Sequence, residues 1–338
     1  MYNFEEDKIL AWLKREKVKD VLVQAPDGMK SQIRRLVDYL EEKQYNVYIS
    51  SSHTWGGCDL AFDEAKALNI HHIVHIGHHG PVRIRDYYNI KVLFIPGYSD
   101  VSIDNLMGNL VDYLRERCDR IGLFTVIQHY DKFEYMKNVL SKNGIDVLTG
   151  QSPDPHLPEG VIIGCDVRAV GLIEGMVDAI VVIAGGVFHA IGVALYCEKP
   201  VISADPYTGK IRLMDNELRK IYARRLDNIM RALDKENFII ATSTKPGQFF
   251  ISQVREIERE LRKAGKKVIK IIGNEINRDI FLNFEGSSYG YVNAACPRLG
   301  IDDQEIFPGP VVNIGEVKYI VGKKMEEYSL KDALSLDI

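Results

Sequence analysis

The stretch Trp55-Gly56-Gly57-Cys58-Asp59 decides the fold, because the chain contains two counterparts of it. They are Ile163-Gly164-Cys165-Asp166 and Ala294-Ala295-Cys296-Pro297-Arg298, and the cysteines follow one another at offsets of 107 and 131 residues. Each cysteine lies among small residues near the middle of its own block of strand and helix patterns. We therefore expect three repeated units, each of which brings one thiolate to a common point.

The three blocks open with similar apolar strand patterns: Val21-Leu-Val-Gln, Leu123-Phe-Thr-Val-Ile-Gln and Ile239-Ile-Ala-Thr-Ser. Amphipathic helix patterns alternate with these strands, which indicates parallel sheets covered on both faces. The sequence predicts an α/β fold of three homologous domains, arranged with pseudo-three-fold symmetry around a central site. The predicted domains are residues 1–100, 101–212 and 213–338. A long helix is expected over Glu217–Leu233, and another through the C-terminal end.

Composition excludes several classes of protein. The 338 residues are 46% hydrophobic and 27% charged, and the net charge is −4, so no basic surface for nucleic acid is expected. No apolar run approaches the ~18 residues that span a bilayer, and the N-terminus lacks a signal-peptide pattern. We expect a cytoplasmic protein without membrane contact. Five widely spaced cysteines do not suit a disulfide framework.

Three convergent thiolates favour an iron–sulfur cluster over zinc. Structural zinc usually takes four ligands from paired local motifs, and no such motif occurs here. A [4Fe–4S] cluster held by Cys58, Cys165 and Cys296 would leave one iron open to a substrate. The pattern alone leaves the alternative open that these cysteines are small buried residues. Cys118 and Cys197 have no counterparts in the other blocks and are assigned to packing.

A family resemblance rests on several motifs in combination. The chain from about residue 5 to 330 resembles the archaeal diphthamide-synthesis enzyme family. The matching motifs are Trp55-Gly-Gly-Cys58-Asp-Leu-Ala-Phe-Asp-Glu-Ala, His75-Ile-Gly-His78, Val161-Ile-Ile-Gly-Cys165, Phe188-His-Ala-Ile-Gly-Val-Ala, Ser203-Ala-Asp-Pro-Tyr-Thr and Ala294-Ala-Cys296-Pro-Arg-Leu-Gly-Ile-Asp-Asp303.

The resemblance implies a 2-(3-amino-3-carboxypropyl)histidine synthase that acts as a homodimer. Its [4Fe–4S] cluster would be held by Cys58, Cys165 and Cys296. S-adenosyl-L-methionine would be cleaved at its Cγ–S bond after one-electron reduction, and the 3-amino-3-carboxypropyl radical would add to C2 of a histidine imidazole on translation elongation factor 2. This is the first step of diphthamide biosynthesis, and the electron donor stays unidentified.

Candidate contacts to S-adenosylmethionine lie near predicted strand ends. Gly185 and Gly186 precede a helix N-terminus, whose free N–H groups can receive a carboxylate. His189 follows them and could bond substrate or cap the helix. Asp205 ends a strand, where it could take ribose hydroxyls or the ammonium group. The alternatives for these positions are a tight strand-to-helix connection and a plain turn.

Two further candidates belong to the third block. Gln248 lies between its first strand and first helix and could touch substrate, although such loops are often only turns. Arg298 could pair with a substrate carboxylate through a forked pair of hydrogen bonds. The alternative is an ion pair inside its own loop, since Asp302 and Asp303 follow closely.

The histidine-rich stretch of the first block invites a zinc hypothesis, which strand alternation disfavours because it divides the rings between two faces. The stretch holds His71, His72, His75, His78 and His79. His75 and His78, near the strand end, are expected to line the cluster pocket instead. Asp27-Gly28 is not followed by a glycine-rich phosphate loop, so ATP or NAD binding is not expected.

Two rival functions remain at this point. A quinolinate-synthase-like dehydratase also resembles three stacked α/β domains with one cysteine each, but the flanking sequence matches the diphthamide family better. A non-catalytic subunit that only carries a cluster is the second rival. All three cysteines occur in one chain, which favours a self-sufficient enzyme.

Overall fold

The computed structural model of the chain describes residues 2–284 and 288–337. Met1 and Ile338, the outer ends of the predicted first and third domains, lie outside these residues. The strands are β1 Tyr2–Asn3, β2 Asp20–Gln24, β3 Asn46–Ile49, β4 His72–Ile76, β5 Lys91–Ile95, β6 Tyr98–Ser99, β7 Arg120–Thr125, β8 Asp146–Leu148, β9 Ala179–Ile183, β10 Val201–Ala204, β11 Ile211–Leu213, β12 Asn237–Ser243, β13 Lys267–Gly273, β14 Gly290–Ala294 and β15 Val311–Asn313.

Helices separate most of these strands. They are α1 Glu6–Glu16, α2 Asp27–Lys30, α3 Arg34–Glu42, α4 Phe62–Ala67, α5 Asp104–Leu114, α6 Phe133–Lys142, α7 Arg168–Gly171, α8 Phe188–Tyr196, α9 Asp215–Leu233, α10 Ile251–Lys263, α11 Arg278–Leu282, α12 Pro297–Ile301 and α13 Val317–Ile320.

Three sheets share one strand order. The first is β3-β2-β4-β5, the middle one contains β10-β9-β7-β8 with β11 added outside β10, and the third is β13-β12-β14-β15. In each block the first strand therefore lies between the second and the third. It pairs with both in parallel. The predicted α/β class with parallel sheets is confirmed, and the pseudo-three-fold arrangement around a centre stays a prediction.

The first sheet is covered on both faces because its strands alternate apolar side chains. Val21 and Val23 pack in one cluster with Leu13 of α1 and Leu36 of α3. Leu22 points the other way and packs with residues of α4 and its flanks. Each fully buried Val or Leu contributes roughly 1.5–3 kcal/mol, so a strand with apolar residues on both faces is stable only between two layers of helices.

The third sheet repeats this arrangement. Ile240 of β12 packs with Val254 and Ile257 of α10. Its neighbour Ile239 packs on the opposite face with Phe281 of α11. A short apolar strand between two helical layers therefore recurs at both ends of the chain.

Contacts within the chain define two compact units. One unit comprises the chain up to Ile162 together with Arg168–Val187 and Ser203–Arg212. The other comprises Ile163–Val167, Phe188–Ile202 and the chain from Leu213 onward. The short segment that carries Cys165 thus belongs to the same unit as Cys296. The division into three sequence domains stays a prediction.

Two helices differ from the prediction. The predicted C-terminal helix is wrong, because α13 ends at Ile320 and Gly322 follows with φ +128°, a backbone conformation that ends a helix. Helix α5 was not expected, although its buried leucines Leu106, Leu110 and Leu114 recur at helical spacing. The predicted long helix is confirmed as α9, Asp215–Leu233.

Candidate functional site

The three predicted cluster cysteines are half-buried and follow the carboxyl ends of strands. Cys58 follows β3 and Cys165 follows β8, the second strands of their blocks. Cys296 instead comes two residues after β14, a third strand. Cys296 therefore lies one strand later in its block than its two counterparts, a difference in place that the similar motifs do not reveal.

The Cys58 loop is fixed by close backbone contact. A Cβ on Gly57 would stand 2.3 Å from the carbonyl oxygen of Gly80, so only glycine fits there. The Gly57 carbonyl accepts a hydrogen bond of 3.0 Å from the N–H of Val82. The residue before the cysteine is thus held against the loop that follows β4.

Gln24, the last residue of β2, holds the other side of this loop. Its Nε2 donates to the carbonyl of Asp59 at 2.7 Å, and its Oε1 accepts from the N–H of Ala61 at 3.1 Å. The same Oε1 lies 3.1 Å from Nδ1 of His75, whose Nε2 lies 2.9 Å from Nδ1 of His78. A chain of side chains therefore runs from the Cys58 loop through the buried Gln24 and His75 to the half-buried His78.

The direction of this chain assigns the protons. Because Gln24 Oε1 is an acceptor, His75 carries its proton on Nδ1 and presents a lone pair at Nε2. His78 must then donate from Nδ1, which leaves its own Nε2 as an acceptor. Burial, with His78 alongside, lowers the pKa of His75 well below its usual value, and burial lowers the pKa of His78 to about 4. Both rings are neutral at pH 7.

Arg298 joins the loops of Cys165 and Cys296. Its Nη1 donates to the carbonyl of Gly164 at 2.8 Å and to that of Phe188 at 2.9 Å. Nε and Nη2 bond the two carboxylate oxygens of Asp302. Arg298 is buried, with 3% of its surface exposed. Its guanidinium links the residue before Cys165 to the helix that follows Cys296.

Two glycines allow this approach. A Cβ on Gly164 would stand 2.1 Å from the Phe188 ring, and a Cβ on Gly192 would stand 2.6 Å from the Gly164 carbonyl. The guanidinium of Arg298 lies 3.7 Å from the centre of the same Phe188 ring. The Cys165 loop is therefore packed between α8 and Arg298 without room for larger side chains.

Cys296 is positioned by its own strand. Asn293 donates from Nδ2 to the Cys296 carbonyl at 2.8 Å and to Oδ1 of Asn313 at 2.8 Å. Asn313 in turn donates from Nδ2 to the carbonyl of Pro297 at 2.8 Å. Two buried asparagines thus hold the backbone on both sides of the cysteine.

Among the predicted substrate contacts, Gly185, Gly186 and Asp205 lie in one compact unit. The N–H of Gly186 donates to Asp205 at 3.2 Å, and the N–H of Tyr207 donates to the same carboxylate at 2.9 Å. Partial burial raises the pKa of Asp205, but the hydrogen bonds from Tyr207, Thr208 and Gly186 outweigh it, so the pKa lies below its usual value. The Gly186 N–H is therefore already satisfied by an ionised carboxylate.

The other predicted contacts, His189, Gln248 and Arg298, lie in the second unit. His189 is half-buried, with its ring edge-on to Phe188 at 5.2 Å. Gln248 is buried in the turn after β12, where its N–H donates to Lys245 at 2.9 Å. The forked pairing foreseen for Arg298 is made with Asp302, the alternative that its sequence neighbours suggested.

Several polar groups at strand ends were not expected from the sequence. Thr125 donates to the carbonyl of Ile183 at 2.7 Å, and Thr242 donates to that of Ala294 at 2.9 Å. Gln24 stands at the same register position in the first sheet, paired with His75. In each block, a polar residue at the end of the first, otherwise apolar strand was a sequence signal that could have identified Gln24, Thr125 and Thr242.

His129 was also missed, because no motif contains it. It is 1% exposed, and its Nδ1 has no hydrogen-bond partner in the part of the chain that the structure describes. Burying such an atom without a partner costs about 1–3 kcal/mol. Burial lowers the pKa of His129 to about 4, so the ring is neutral at pH 7.

The remaining cysteines lie away from these loops in sequence. Cys197 is buried and its Sγ accepts from the N–H of Lys199 at 3.3 Å. Burial raises the pKa of the Cys118 thiol, which disfavours the thiolate needed for ligation. Both positions are compatible with the packing role predicted for them.

Within residues 2–284 and 288–337, no three His, Cys, Asp or Glu side chains are close enough to share a single metal ion. A [4Fe–4S] cube takes one thiolate on each iron, so its ligands stand further apart than those of one ion. Across the same residues, no helix is long and apolar enough to cross a membrane.

In α/β proteins with parallel sheets, ligands bind beyond the carboxyl ends of the strands, and the three cysteine loops lie at such ends. Residues 25–330 match the family described as diphthamide synthesis protein, and the chain belongs to this family. The 2-(3-amino-3-carboxypropyl)histidine synthase of Pyrococcus horikoshii is 28% identical over 335 residues, which cover 99% of this chain and 94% of that protein. Subunit 1 of the Kluyveromyces lactis synthase is 28% identical over 92% of this chain and 73% of its own length.

A solved structure agrees with these relatives. The crystal structure of Dph2 from Pyrococcus horikoshii with a 4Fe-4S cluster superimposes with a TM-score of 0.86 at 27% identity, covering 98% of this chain and 94% of that one. The prediction of an enzyme in the 3-amino-3-carboxypropyl transferase class is confirmed by these names. Both relatives carry the name of this synthase and not that of the rival quinolinate-synthase-like dehydratase.

The residues around Cys58 fit a cluster of that kind. Thr54, four residues earlier, has a buried hydroxyl oxygen without a hydrogen-bond partner among the described residues. A hydroxyl at such a place can donate to a cysteine or sulfide sulfur, a contact that tunes iron–sulfur centres. Gly57 and Gly164 bring backbone close to the cysteines where no side chain fits.

Proposed function

We propose that this protein transfers the 3-amino-3-carboxypropyl group of S-adenosylmethionine to C2 of a histidine imidazole on translation elongation factor 2. This would be the first step of diphthamide biosynthesis, carried out by a cytoplasmic homodimer. The family, the named synthases and the cluster in the Dph2 structure support the proposal.

Cys58, Cys165 and Cys296 would hold a [4Fe–4S] cluster. When bound, the cluster supplies the single electron that breaks the Cγ–S bond. The observation that carries the proposal is Arg298, which bonds the carbonyl preceding Cys165 from a position two residues after Cys296. A buried arginine whose donors are divided between two cysteine loops is expected where both loops must hold one group.

The residues of the chain then have to orient the substrate, because the protein decides which of the three C–S bonds breaks. Gly185, Gly186, His189, Asp205 and Gln248 remain the proposed contacts to S-adenosylmethionine. Asp205, an ionised carboxylate, suits ribose hydroxyls or the ammonium group. Arg298 is held by Asp302 and by two carbonyls, so we assign it to positioning the loops.

The test is an anaerobic reconstitution followed by counting iron and measuring 5′-methylthioadenosine. The wild-type protein with dithionite and S-adenosylmethionine is expected to release this product and to label elongation factor 2. Cys165→Ser and Cys296→Ser should lose iron and product together. Cys118→Ser is the matched control, since this cysteine is assigned to packing. Full activity in Cys165→Ser would refute the proposal.

A further inference from the structure

One edge of the first sheet is an exposed strand. β3, Asn46–Ile49, stands at the end of the strand order β3-β2-β4-β5. The N–H of Ser50 donates to the carbonyl of Val23 in β2 at 2.9 Å, and because N–H groups alternate between the two sides of a strand, that of Ile49 points away from β2. Since no other strand of residues 2–284 and 288–337 pairs with β3, its outer edge presents backbone groups that can accept a further strand.

This edge lacks the charges that usually protect an exposed strand. No Lys, Arg, Asp or Glu occurs from Gln44 to Cys58, although 27% of the chain is charged. Tyr48 and Ile49 are both exposed. Proteins commonly place lysine or another charged side chain on a free edge, which prevents pairing with other chains. An uncharged edge with exposed apolar side chains is open to the addition of a strand.

The third sheet shows the protected alternative. β13 stands at the end of its own strand order, and it also exposes apolar side chains, Ile269 and Ile272. It carries Lys267 and Lys270 as well, and Lys270 pairs with Glu258. The chain thus protects the edge at β13 with charge and leaves the edge at β3 uncharged, so exposure alone does not explain the composition of β3.

The loop that follows β3 is exposed but held in place. Nζ of Lys30 donates to the carbonyls of Ser51 and Ser52 at 3.1 and 2.6 Å. The ring of Trp55 lies 5.5 Å from that of His53, yet 63% of Trp55 is exposed. Tryptophan is enriched among the residues that dominate protein interfaces, and an ordered surface loses less entropy when a partner binds. β3 and this loop therefore form a preorganised surface.

We propose that β3 accepts an extended, uncharged segment of the acceptor protein as an additional strand, and that Trp55 packs against the part of this segment that leads to the acceptor histidine. The inference rests on the proposed function, in which elongation factor 2 is the acceptor, and adds a docking surface to its site. Main-chain hydrogen bonds to β3 provide the affinity, so the segment needs an extended backbone and no charged side chain.

Two observations favour an acceptor segment over a second copy of this chain. The carboxyl end of β3 lies next to the cluster loop, because Ile49 pairs with Val23, and Gln24, the next residue of β2, donates to Asp59 at 2.7 Å. A segment on β3 is thereby directed toward Cys58, where the acceptor imidazole has to arrive. A strand of four residues also buries much less than the ~1,200–2,000 Å² of a stable interface, which suits a transient contact with a substrate.

The test measures binding of elongation factor 2 to the anaerobically reconstituted holoprotein by biolayer interferometry. Ile49→Lys places a charge on the edge, so the dissociation constant should rise about tenfold with an unchanged iron content. Ile272→Lys is the matched control, because Ile272 lies on the other edge strand and is 58% exposed, against 47% for Ile49. It should change the constant by less than about twofold. Unchanged binding by Ile49→Lys overturns the proposal.

A second pair of variants separates strand addition from side-chain packing. Ile49→Ala keeps the outward N–H, whereas Ile49→Pro removes it without removing a donor to β2. Strand addition predicts a dissociation constant about tenfold higher for Ile49→Pro and at most about twofold higher for Ile49→Ala. Equal affinities of these two variants would show that the segment is not added as a strand. If Ile49→Pro lowers the melting temperature or the iron content, Ile49→Lys alone decides.

The remaining outcomes separate this surface from a dimer interface and from the proposed function. Light scattering should give the same mass for Ile49→Lys and the wild type, and a change from dimer to monomer would assign β3 to a second copy and overturn the proposal. If the wild type releases 5′-methylthioadenosine but Ile49→Lys binds elongation factor 2 as tightly, the docking surface is wrong and the proposed function stands. If the wild type neither releases this product nor binds elongation factor 2, both are wrong.

Discussion

The first and third sheets have the same strand order but hold their cysteines by different chemistry. In the first, Cys58 follows the second strand, and neutral side chains hold its loop from β2 and β4 through Gln24 and His75. In the third, Cys296 comes two residues after β14, and the charged side chains of Arg298 and Arg225 hold the helix that follows it, in addition to the asparagines on either side of the cysteine. The comparison indicates that strand order sets where a cysteine can stand, while the side chains at the strand ends set how rigidly it is held.

The largest effect is expected from the buried pair Arg225 and Glu316 in the third block. Nε of Arg225 lies 3.0 Å from Glu316, and other guanidinium nitrogens bond the carbonyls of Gly300 and Val311. Arg225→Met leaves the carboxylate of Glu316, 0% exposed, without its counter-charge. We expect a loss of about 3–5 kcal/mol in the free energy of unfolding, measured by urea denaturation followed by circular dichroism.

Arg224→Met is the matched control, because Arg224 is exposed on the same helix. It should cost less than about 0.5 kcal/mol. The double variant Arg225→Met with Glu316→Gln should recover part of the loss, since no buried charge is then left unpaired. Equal stability of the Arg225→Met and Arg224→Met variants would mean that charge does not hold the third block.

The next largest effect is expected from two substitutions, each of which loosens one cysteine loop. Arg298→Lys keeps the charge but cannot bond Asp302 and the Gly164 carbonyl together, so it should cost about 2–3 kcal/mol and release the Cys165 loop. Gln24→Leu should release the Cys58 loop in the same way, by losing its bonds to Asp59 and Ala61. Hydrogen exchange followed by mass spectrometry measures both loops in each variant.

Faster exchange should appear in residues 161–167 for Arg298→Lys and in residues 53–61 for Gln24→Leu. Arg262→Lys, at an exposed arginine of α10, serves as the control and should change neither loop. If Gln24→Leu accelerates exchange around Cys165 as strongly as around Cys58, the two loops are not held independently.

A pH dependence distinguishes the neutral first block from the charged third one. Burial lowers the pKa of His75 and His78 in the folded state, so the unfolded chain binds more protons below its own histidine pKa of about 6.5. Stability is therefore present above pH ~6.5 and is lost as pH falls toward about 4, where His78 also titrates when folded. The slope should be about 1.4 kcal/mol per pH unit for each such histidine.

Tryptophan fluorescence measures this slope in the right region, because Trp12 and Trp55 are the two tryptophans of the chain and both lie in the first block. Urea unfolding between pH 4.5 and 7.5 should give a slope that is smaller by about 1.4 kcal/mol per pH unit in His78→Phe. From residue 213 onward the sequence contains no histidine, so the third block should lack this dependence. An unchanged slope in His78→Phe would show that the pair does not titrate as described.

The sequence predicted the parallel sheets because apolar runs such as Val21-Leu-Val are local and tied to burial on both faces. It did not predict which strands lie next to one another in each sheet, since pairing joins segments far apart in the chain. Arg298 shows the same limit for the site. It was identified as polar and close to a cysteine, but its partner carbonyl at Gly164 lies 134 residues away and leaves no mark in the sequence. His129 belongs to no motif and is distinguished only by its burial.

The smallest effect tests whether the middle and third sheets are equivalent at their strand ends. Thr125→Val and Thr242→Val each remove one buried hydroxyl that crosses from the first strand to the end of the third. Because valine keeps the shape and the carbonyl keeps a second lone pair, each should cost about 0.5–1.5 kcal/mol in urea denaturation. Thr244→Val, at an exposed threonine beyond β12, should be close to neutral. Similar losses at Thr125 and Thr242 would mean that the hydroxyl stabilises both sheets in the same way. The first sheet, with Gln24 and His75 at this position, would then be the one that differs. If only one of the two substitutions lowers the free energy of unfolding, the two sheets share the backbone register but not the contribution of the hydroxyl. The stability of each strand end then depends on its own neighbouring side chains.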